Sequence, residues 1–304
     1  MKAILICLLL LSSTYCHIFR QPHLTKVKTE ELSTNASFET YDHEENPFKN
    51  HSLEEIQKLM GAKGLNTESL YTFESSDLSD LPKEFDSRKE WPNCIHKIRN
   101  QKHCGSCWAF GATEVLSDRF CIATNQSENI VLSPQDLVEC DFTNHGCNGG
   151  NLFLAWTYLK FFGVVEDNCK PYVSGDGHVP GCRKQCESKD GDYKKHHSKT
   201  IGIVKKTEEG IKKEIQKFGP VEAGFIVYED FLTYKSGIYE HKSGNMLGGH
   251  AIKIVGWGEE NGTRYWLCAN SWSEEWGENG YFRIKIGEGH MESNVVAGQA
   301  HSDI

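Results

Sequence analysis

The chain has 304 residues, 38% of them hydrophobic and 25% charged, with 33 Lys and Arg set against 42 Asp and Glu for a formal net charge of −9. An acidic balance of that kind argues against a general nucleic-acid binder, whose surface must carry excess positive charge. The length suits one large domain or two lobes around a shared cleft.

Met1 to Leu11 is a single lysine followed by a short apolar stretch, which turns polar at Ser12-Ser13-Thr14. This is the pattern of a signal peptide, assigned to residues 1–16, and it falls far short of the roughly 20 apolar residues a bilayer span needs. No later stretch reaches that length, so an exported product without a membrane span is expected. Residues 17–80 are polar and free of cysteine, with an acidic patch at Asp42-His43-Glu44-Glu45. Their one promising helix covers residues 53–60, with apolar positions three and four apart, Ser52 as N-cap and Gly61 as stop. One amphipathic helix cannot make a core of its own, so this region reads as a pro-segment, linker or tail that folds against the following domain.

From Leu81 the pattern is first helical. An apolar stripe runs from Cys107 through Trp108, Ala112, Leu116 and Phe120. Ser133 and Pro134 are suited to cap and start a helix reaching Cys140, and a third helix is predicted over 152–161. After Gly219-Pro220 short strands take over, at 221–227, 250–257, 265–270 and 281–286, punctuated by glycines and by Asn261-Gly262. The expected fold class is α+β: a helical lobe packed on an antiparallel sheet or open barrel, with a peptide-sized groove between them. Lys194-Lys195-His196-His197 reads as solvated basic surface, and no phosphate loop or internal repeat occurs.

Of twelve cysteines, Cys7 and Cys16 fall in the signal and ten follow from Cys94 onward. Export favours disulfides over a metal site, and Cys140, Cys147 and His145 lack a further ligand at convincing spacing, so no metal is expected. Ten cysteines can form five bridges. Yet Cys268 lies in the apolar strand Tyr265-Trp266-Leu267-Cys268-Ala269, where unbridged cysteine is common, and if it is free, parity frees a second. A cysteine at a helix start has its pKa lowered by the backbone N–H groups there, which would make Cys107 a thiolate nucleophile. On these residues alone, a Cys104–Cys107 redox pair stays open.

Three separated motifs narrow the choice. Cys104-Gly105-Ser106-Cys107-Trp108 is followed, 143 residues after Cys107, by His250 in Gly248-Gly249-His250-Ala251, and then by Ala269-Asn270-Ser271-Trp272. In this order and spacing, which are established for the family, the chain resembles papain-family cysteine proteases, and within them the cathepsin B branch. The resemblance implies a papain-like two-lobed fold and a set of roles. Cys107 is the nucleophile, His250 shares its proton and passes it to the leaving amine, and Asn270 holds the imidazole. Gln101 and the Cys107 N–H serve the oxyanion, Trp272 covers the Asn270–His250 contact, and Gly149-Gly150 holds substrate backbone. Leu81 to Arg88 resembles the family's mature start, and Asn46-Pro47-Phe48 with residues 53–62 resembles its short propeptide. A zymogen is thereby implied, with propeptide 17–80 lying through the groove in reverse and mature domain 81–304.

The same likeness implies disulfides Cys94–Cys121, Cys104–Cys147, Cys140–Cys182 and Cys169–Cys186, leaving Cys107 and Cys268 free. It calls for no cofactor, and its implied partners are protein and peptide substrates, the chain's own propeptide and cystatin-like inhibitors. Asn35, Asn125 and Asn261 begin glycosylation sequons, compatible with the secretory pathway and a lysosomal, vacuolar or extracellular destination. A catalytically silent papain-fold binding protein is the alternative. Two departures from the cathepsin B pattern bear on specificity. The stretch between Cys169 and Cys182 is too short for that branch's disulfide-bounded occluding loop, which predicts an open groove and endopeptidase action. Lys102-His103 replaces the usual glycine after Gln101 and is expected to face solvent. Glu292, in Met291-Glu292-Ser293, resembles the glutamate that lines the S2 pocket and accepts a basic P2 residue.

Overall fold

The computed structural model describes residues 21–67, 81–188 and 191–300. The signal-peptide assignment and the junction near residue 80 lie outside them.

Local capping explains why the first lobe is helical. Ser133 accepts from the Asp136 N–H at 3.1 Å and Pro134 opens the helix Pro134–Cys140. Asn151 caps Leu152–Phe161 in the same way, at 3.2 Å. The central helix, Cys107–Ala123, is buried from Cys107 through Cys121 and makes no side-chain cap at Ser106. The Ser106 hydroxyl is instead 2.9 Å from the Tyr172 hydroxyl. All four disulfides, Cys94–Cys121, Cys104–Cys147, Cys140–Cys182 and Cys169–Cys186, tie this lobe together, while Cys107 and Cys268 are free and buried.

The second lobe is a twisted sheet with strand order Gly202–Ile203, Val295–Ala297, Val221–Tyr228, Met246–Glu260, Thr263–Ala269, Tyr281–Lys285 and Ile238–Tyr239. Its long Met246–Glu260 strand pairs antiparallel with both neighbours, placing Phe225 opposite His250 and Ala269 opposite Lys253. A bulge between Ile254 and Gly256 shifts the register beyond that point. Alternation along the strand sets Ile252 and Ile254 into the sheet-lobe core and turns Lys253 the other way, where it meets Asp118 of the central helix at 2.7 Å. Trp156 Nε1 donates to Glu222 at 2.7 Å and Arg119 Nε to the Pro220 carbonyl at 2.8 Å. These buried polar contacts fix one lobe on the other, and so fix the Cys107 helix against the His250 strand.

Residues 21–67 are part of both cores. Leu24, Leu32, Phe38, Phe48, Ile56, Leu59 and Met60 belong to the sheet-lobe core, and Ala62 to the helical one. The helix expected over 53–60 is Leu53–Leu59, with a complete Ser52–Glu55 capping box. Three helices were not foreseen, one of them the single turn Ser87–Glu90. Lys26–Ser33 buries only Thr29 and Leu32 and carries no periodic signal; Glu229 pins it, 2.6 Å from Lys28 Nζ and 2.8 Å from His23 Nε2. Glu208–Phe218 did carry one: a Thr207 cap, acidic residues in the first turn, and Ile211 and Ile215 four apart. Among the described residues no helix is long and apolar enough to cross a membrane.

Candidate active site

Cys107 is the first residue of its helix, and His250 lies on the facing strand next to Ala251, whose backbone hydrogen-bonds the Cys107 sulfur. His250 Nε2 is 2.8 Å from Asn270 Oδ1, which also accepts from the Ser271 N–H at 2.8 Å. Since that oxygen can only accept, Nε2 carries the proton and Nδ1 is the nitrogen left for chemistry. The Trp272 ring lies 4.8 Å from the imidazole and is itself buried, so it shields the His250–Asn270 pair from water.

Gln101 is fully buried and held at every polar atom. Its Oε1 accepts from the Ser271 hydroxyl at 2.7 Å, its carbonyl from the Tyr172 hydroxyl at 2.9 Å, and its N–H donates to the Ser271 carbonyl at 2.9 Å. The loop bearing Gln101 is thereby locked to the loop bearing Asn270 and Trp272, across the lobe boundary. Gln101 Nε2 donates to the Cys104 carbonyl at 2.9 Å and to the Leu59 carbonyl at 3.1 Å.

Leu59 belongs to the pro-segment, which continues straight through the cleft. Gly61 accepts from the Gly150 N–H at 2.8 Å, Lys63 donates to the Gly150 carbonyl at 2.8 Å, and Ala62 donates to the Gly249 carbonyl at 3.0 Å. The pairing of Ala62 with Gly150 is parallel. Glycine is required where the two backbones touch: a Cβ on Gly61 would stand 2.0 Å from the Gly105 carbonyl oxygen, and one on Gly150 2.5 Å from the Trp108 ring. Leu65 packs over Gly224 and Gly249, whose missing side chains leave its pocket.

This cover changes the electrostatics expected of Cys107. A helix start was expected to lower its pKa, but burial pushes the thiol up to about 11. Backbone hydrogen bonds from Ala251, Gly61 and Trp108 oppose that effect without reversing it, and buried Glu222 adds to it. Burial likewise brings His250 down to about 4, against the raising influence of Asn270 and of the Leu59 carbonyl. The Leu59 oxygen lies near enough to favour the charged ring, yet His250 Nδ1 makes no hydrogen bond of good geometry. Under the pro-segment the pair is thus a neutral thiol and a neutral imidazole.

Residues 81–299 match the papain family of cysteine proteases. The chain belongs to that family. It is 42% identical over 287 residues to a cathepsin B-like cysteine proteinase of Schistosoma japonicum, covering 82% of this chain and 83% of the relative. It is 44% identical over 233 residues to cathepsin B of Dictyostelium discoideum, covering 72% and 74%. The solved procathepsin B S9 of Trypanosoma congolense superposes with a TM-score of 0.81 at 32% identity, covering 92% of this chain and all of that one. The protein is a cysteine endopeptidase of the papain and cathepsin B type, with the bilobed α+β architecture of that family and a pro-segment seated in its cleft.

One expected site residue lies elsewhere. Glu292 does not face the groove: it is 1% exposed, and its carboxylate accepts from Trp266 Nε1 at 2.8 Å and the Gly287 N–H at 2.9 Å. Burial raises its pKa, with those hydrogen bonds opposing. The residue that meets the pro-segment is Asn294, two positions on, which accepts from the Asn66 N–H at 2.7 Å and donates to the Asn66 carbonyl at 3.0 Å. A short helical turn with left-handed backbone at Gly289 and His290 exchanges which side chains face inward, and periodicity could not reveal that. A turn at Ser174–Asp176 packs behind the 101–106 segment, where the Gly175 carbonyl accepts from the His103 N–H at 2.9 Å.

Proposed function

We propose that Cys107 attacks the scissile carbonyl as a thiolate paired with His250, that Asn270 fixes the imidazole, and that Gln101 Nε2 with the Cys107 N–H stabilises the oxyanion. The observation that carries this reading is the position of the Leu59 carbonyl. A peptide carbonyl already sits on the Gln101 donor and beside His250, while the following Gly61 backbone reaches the Cys107 sulfur. A substrate carbonyl there is presented to all three groups at once. Gly149 and Gly150 are the natural backbone partners for a substrate, since Gly150 already pairs with residues 61–63 on both of its polar atoms. The pro-segment pairs with it in the parallel sense, so a productive chain running the other way pairs antiparallel. Trp272 keeps water from the His250–Asn270 contact.

The precursor is proposed to comprise a signal peptide over 1–16, a propeptide over 17–80 and a mature domain over 81–304. Four disulfides fit an oxidising compartment, and the sequon asparagines Asn35, Asn125 and Asn261 are all exposed, which supports glycosylation in the secretory pathway and a lysosomal, vacuolar or extracellular end point. Protein and peptide substrates, and cystatin-like inhibitors, are partners that fit a cleft left open on the leaving-group side. With Glu292 withdrawn and Leu65 over two glycines, an apolar P2 residue is preferred. Maturing the full-length protein under mildly acidic, reducing conditions should yield peptide cleavage that an epoxide thiol inhibitor abolishes. An internally quenched peptide should turn over comparably with a free or an amidated C-terminus. Inhibitor-insensitive cleavage, or none, contradicts the reading.

A further inference from the structure

Next to Gln101, on the side of the cleft away from Gly149-Gly150, lies a cavity of about 220 Å³ lined by Lys102, His103, Asn100, Trp272 and, from the pro-segment, Phe48 and His51. Lys102 and His103 are both exposed with the pro-segment in place, and no ion pair joins either to another described residue. Their backbone is deliberately placed. Lys102 adopts a left-handed φ of 52°, its N–H is held by Asn100 Oδ1 at 2.8 Å, and the His103 N–H is held by the Gly175 carbonyl at 2.9 Å. A non-glycine residue takes that conformation at a cost, and here the result is to display two basic side chains on the rim beside the proposed oxyanion donor.

The pro-segment leaves these groups unneutralised. It sets beside them Phe48 and a third base, His51, whose ring stacks on His103 at 5.7 Å. Glu55, the pro-segment acid that acts on His51, is committed to the Ser52 capping box, and Asp176 on the mature side accepts from the His178 N–H. Removal of the pro-segment therefore clears the space beside an already exposed basic rim, on a chain whose formal net charge is −9. The pro-segment residues that cross Gly150 come after Leu59 and those over the basic rim come before it. If Gly149-Gly150 holds the acyl side of a substrate, the rim faces its leaving side.

We propose that Lys102 and His103 form an anion-accepting rim on the leaving-group side of the cleft, which selects peptides carrying an acidic residue within the first three positions after the scissile bond. The proposal rests on the catalytic reading of Cys107, His250 and Gln101 given above. The complementary group is a carboxylate, and an exposed pair of this kind supplies a preference of about 2- to 5-fold that salt weakens.

The test uses enzyme matured from the full-length chain and internally quenched peptides with Leu at P2 and both ends blocked. Peptides carry Glu or Gln at each of the first three leaving-side positions in turn. The expected result is a kcat/KM ratio of Glu to Gln of about 2 to 5 at one position. The ratio should fall towards one in 0.5 M NaCl and in Lys102→Gln/His103→Gln, and invert in Lys102→Glu. A ratio of one at all three positions in the unsubstituted enzyme overturns the proposal, whatever the variants do. A further peptide, neutral but ending in a free carboxylate at the second leaving-side position, identifies the source of the charge; a gain for that peptide alone also overturns the selection of an acidic side chain. Failure to cleave any of these peptides, including those with Gln, would instead count against the hydrolase reading itself.

Discussion

Acid should unmask the catalytic pair, and the size of the effect follows from His250. In the covered state burial holds its pKa at about 4, against an ordinary value of 6.5. The docked pro-segment thus binds fewer protons than the undocked state between those two values. By linkage, docking is then strongest above pH 6.5 and weakens as pH falls through the window, the loss being complete near pH 4. Trp272 and Asn270 stay on the ring when the pro-segment leaves, so the full depression sets a ceiling: at about 1.4 kcal/mol per pKa unit it amounts to about 3 kcal/mol, a factor on the order of 100 in the docking equilibrium. His51 contributes with the same sign, its pKa lowered by burial and by neighbouring His103, with Glu55 opposing. The assay is amide hydrogen exchange at Ala62 and Lys63 in full-length Cys107→Ala protein, which cannot process itself. Both N–H groups are bonded across the cleft, to Gly249 and Gly150. After correction for intrinsic exchange, their protection should fall from pH 6.5 to pH 4 by a factor of up to about 100, and much of that dependence should disappear in His250→Gln. Protection that stays flat across the window, or that keeps its full pH dependence without His250, refutes the reasoning.

Three further outcomes are expected. Gln101→Ala removes a donor to the developing oxyanion and should lower kcat by about 10²- to 10³-fold, measured by steady-state kinetics on matured enzyme; a loss confined to KM contradicts the assignment. Phe48 is 5% exposed with its ring 5.2 Å from Trp272. Phe48→Ala should weaken docking by about 2 to 4 kcal/mol and raise the rate at which Cys107 is alkylated in the intact zymogen, so unchanged alkylation counts against this contact. Glu292→Ala strands the Trp266 N–H in the core and should destabilise the protein by about 1 to 3 kcal/mol, while leaving the ratio of P2 arginine to P2 phenylalanine cleavage as it was; thermal unfolding and paired substrates measure the two effects.

Much of the fold was legible because its signals are local. Ser133-Pro134 and Ser52 mark helix starts by their own hydrogen bonding, and the strands at 221–228 and 263–269 announce themselves by continuous apolar runs between turns. The Cys107, His250 and Asn270 motifs could be read because each is a short contiguous signature whose resemblance to the papain family implies its role, although the contacts that join them, Asn270 to His250 and Ala251 to Cys107, reach across the chain. Glu208–Phe218 carries its own local signal, but other features depend on distant partners. Nothing in Lys26–Ser33 itself foretells a helix that Glu229 secures from about 200 positions away. The displacement of Glu292 comes from backbone turned left-handed at Gly289 and His290. A residue-by-residue reading of Cys107 also considers only its helix, whereas its protonation in the precursor is set by burial under residues 59–63. That burial turns a helix-start cysteine from an acid stronger than usual into a weaker one.

Peptide mapping of matured enzyme treated with a radiolabelled epoxide inhibitor tests the central claim most directly. The account predicts one label per molecule, on Cys107, with loss of activity in proportion and with Cys104 still bridged to Cys147. Label on another residue, full activity with Cys107 modified, or Cys107 recovered in a disulfide with Cys104 would contradict it.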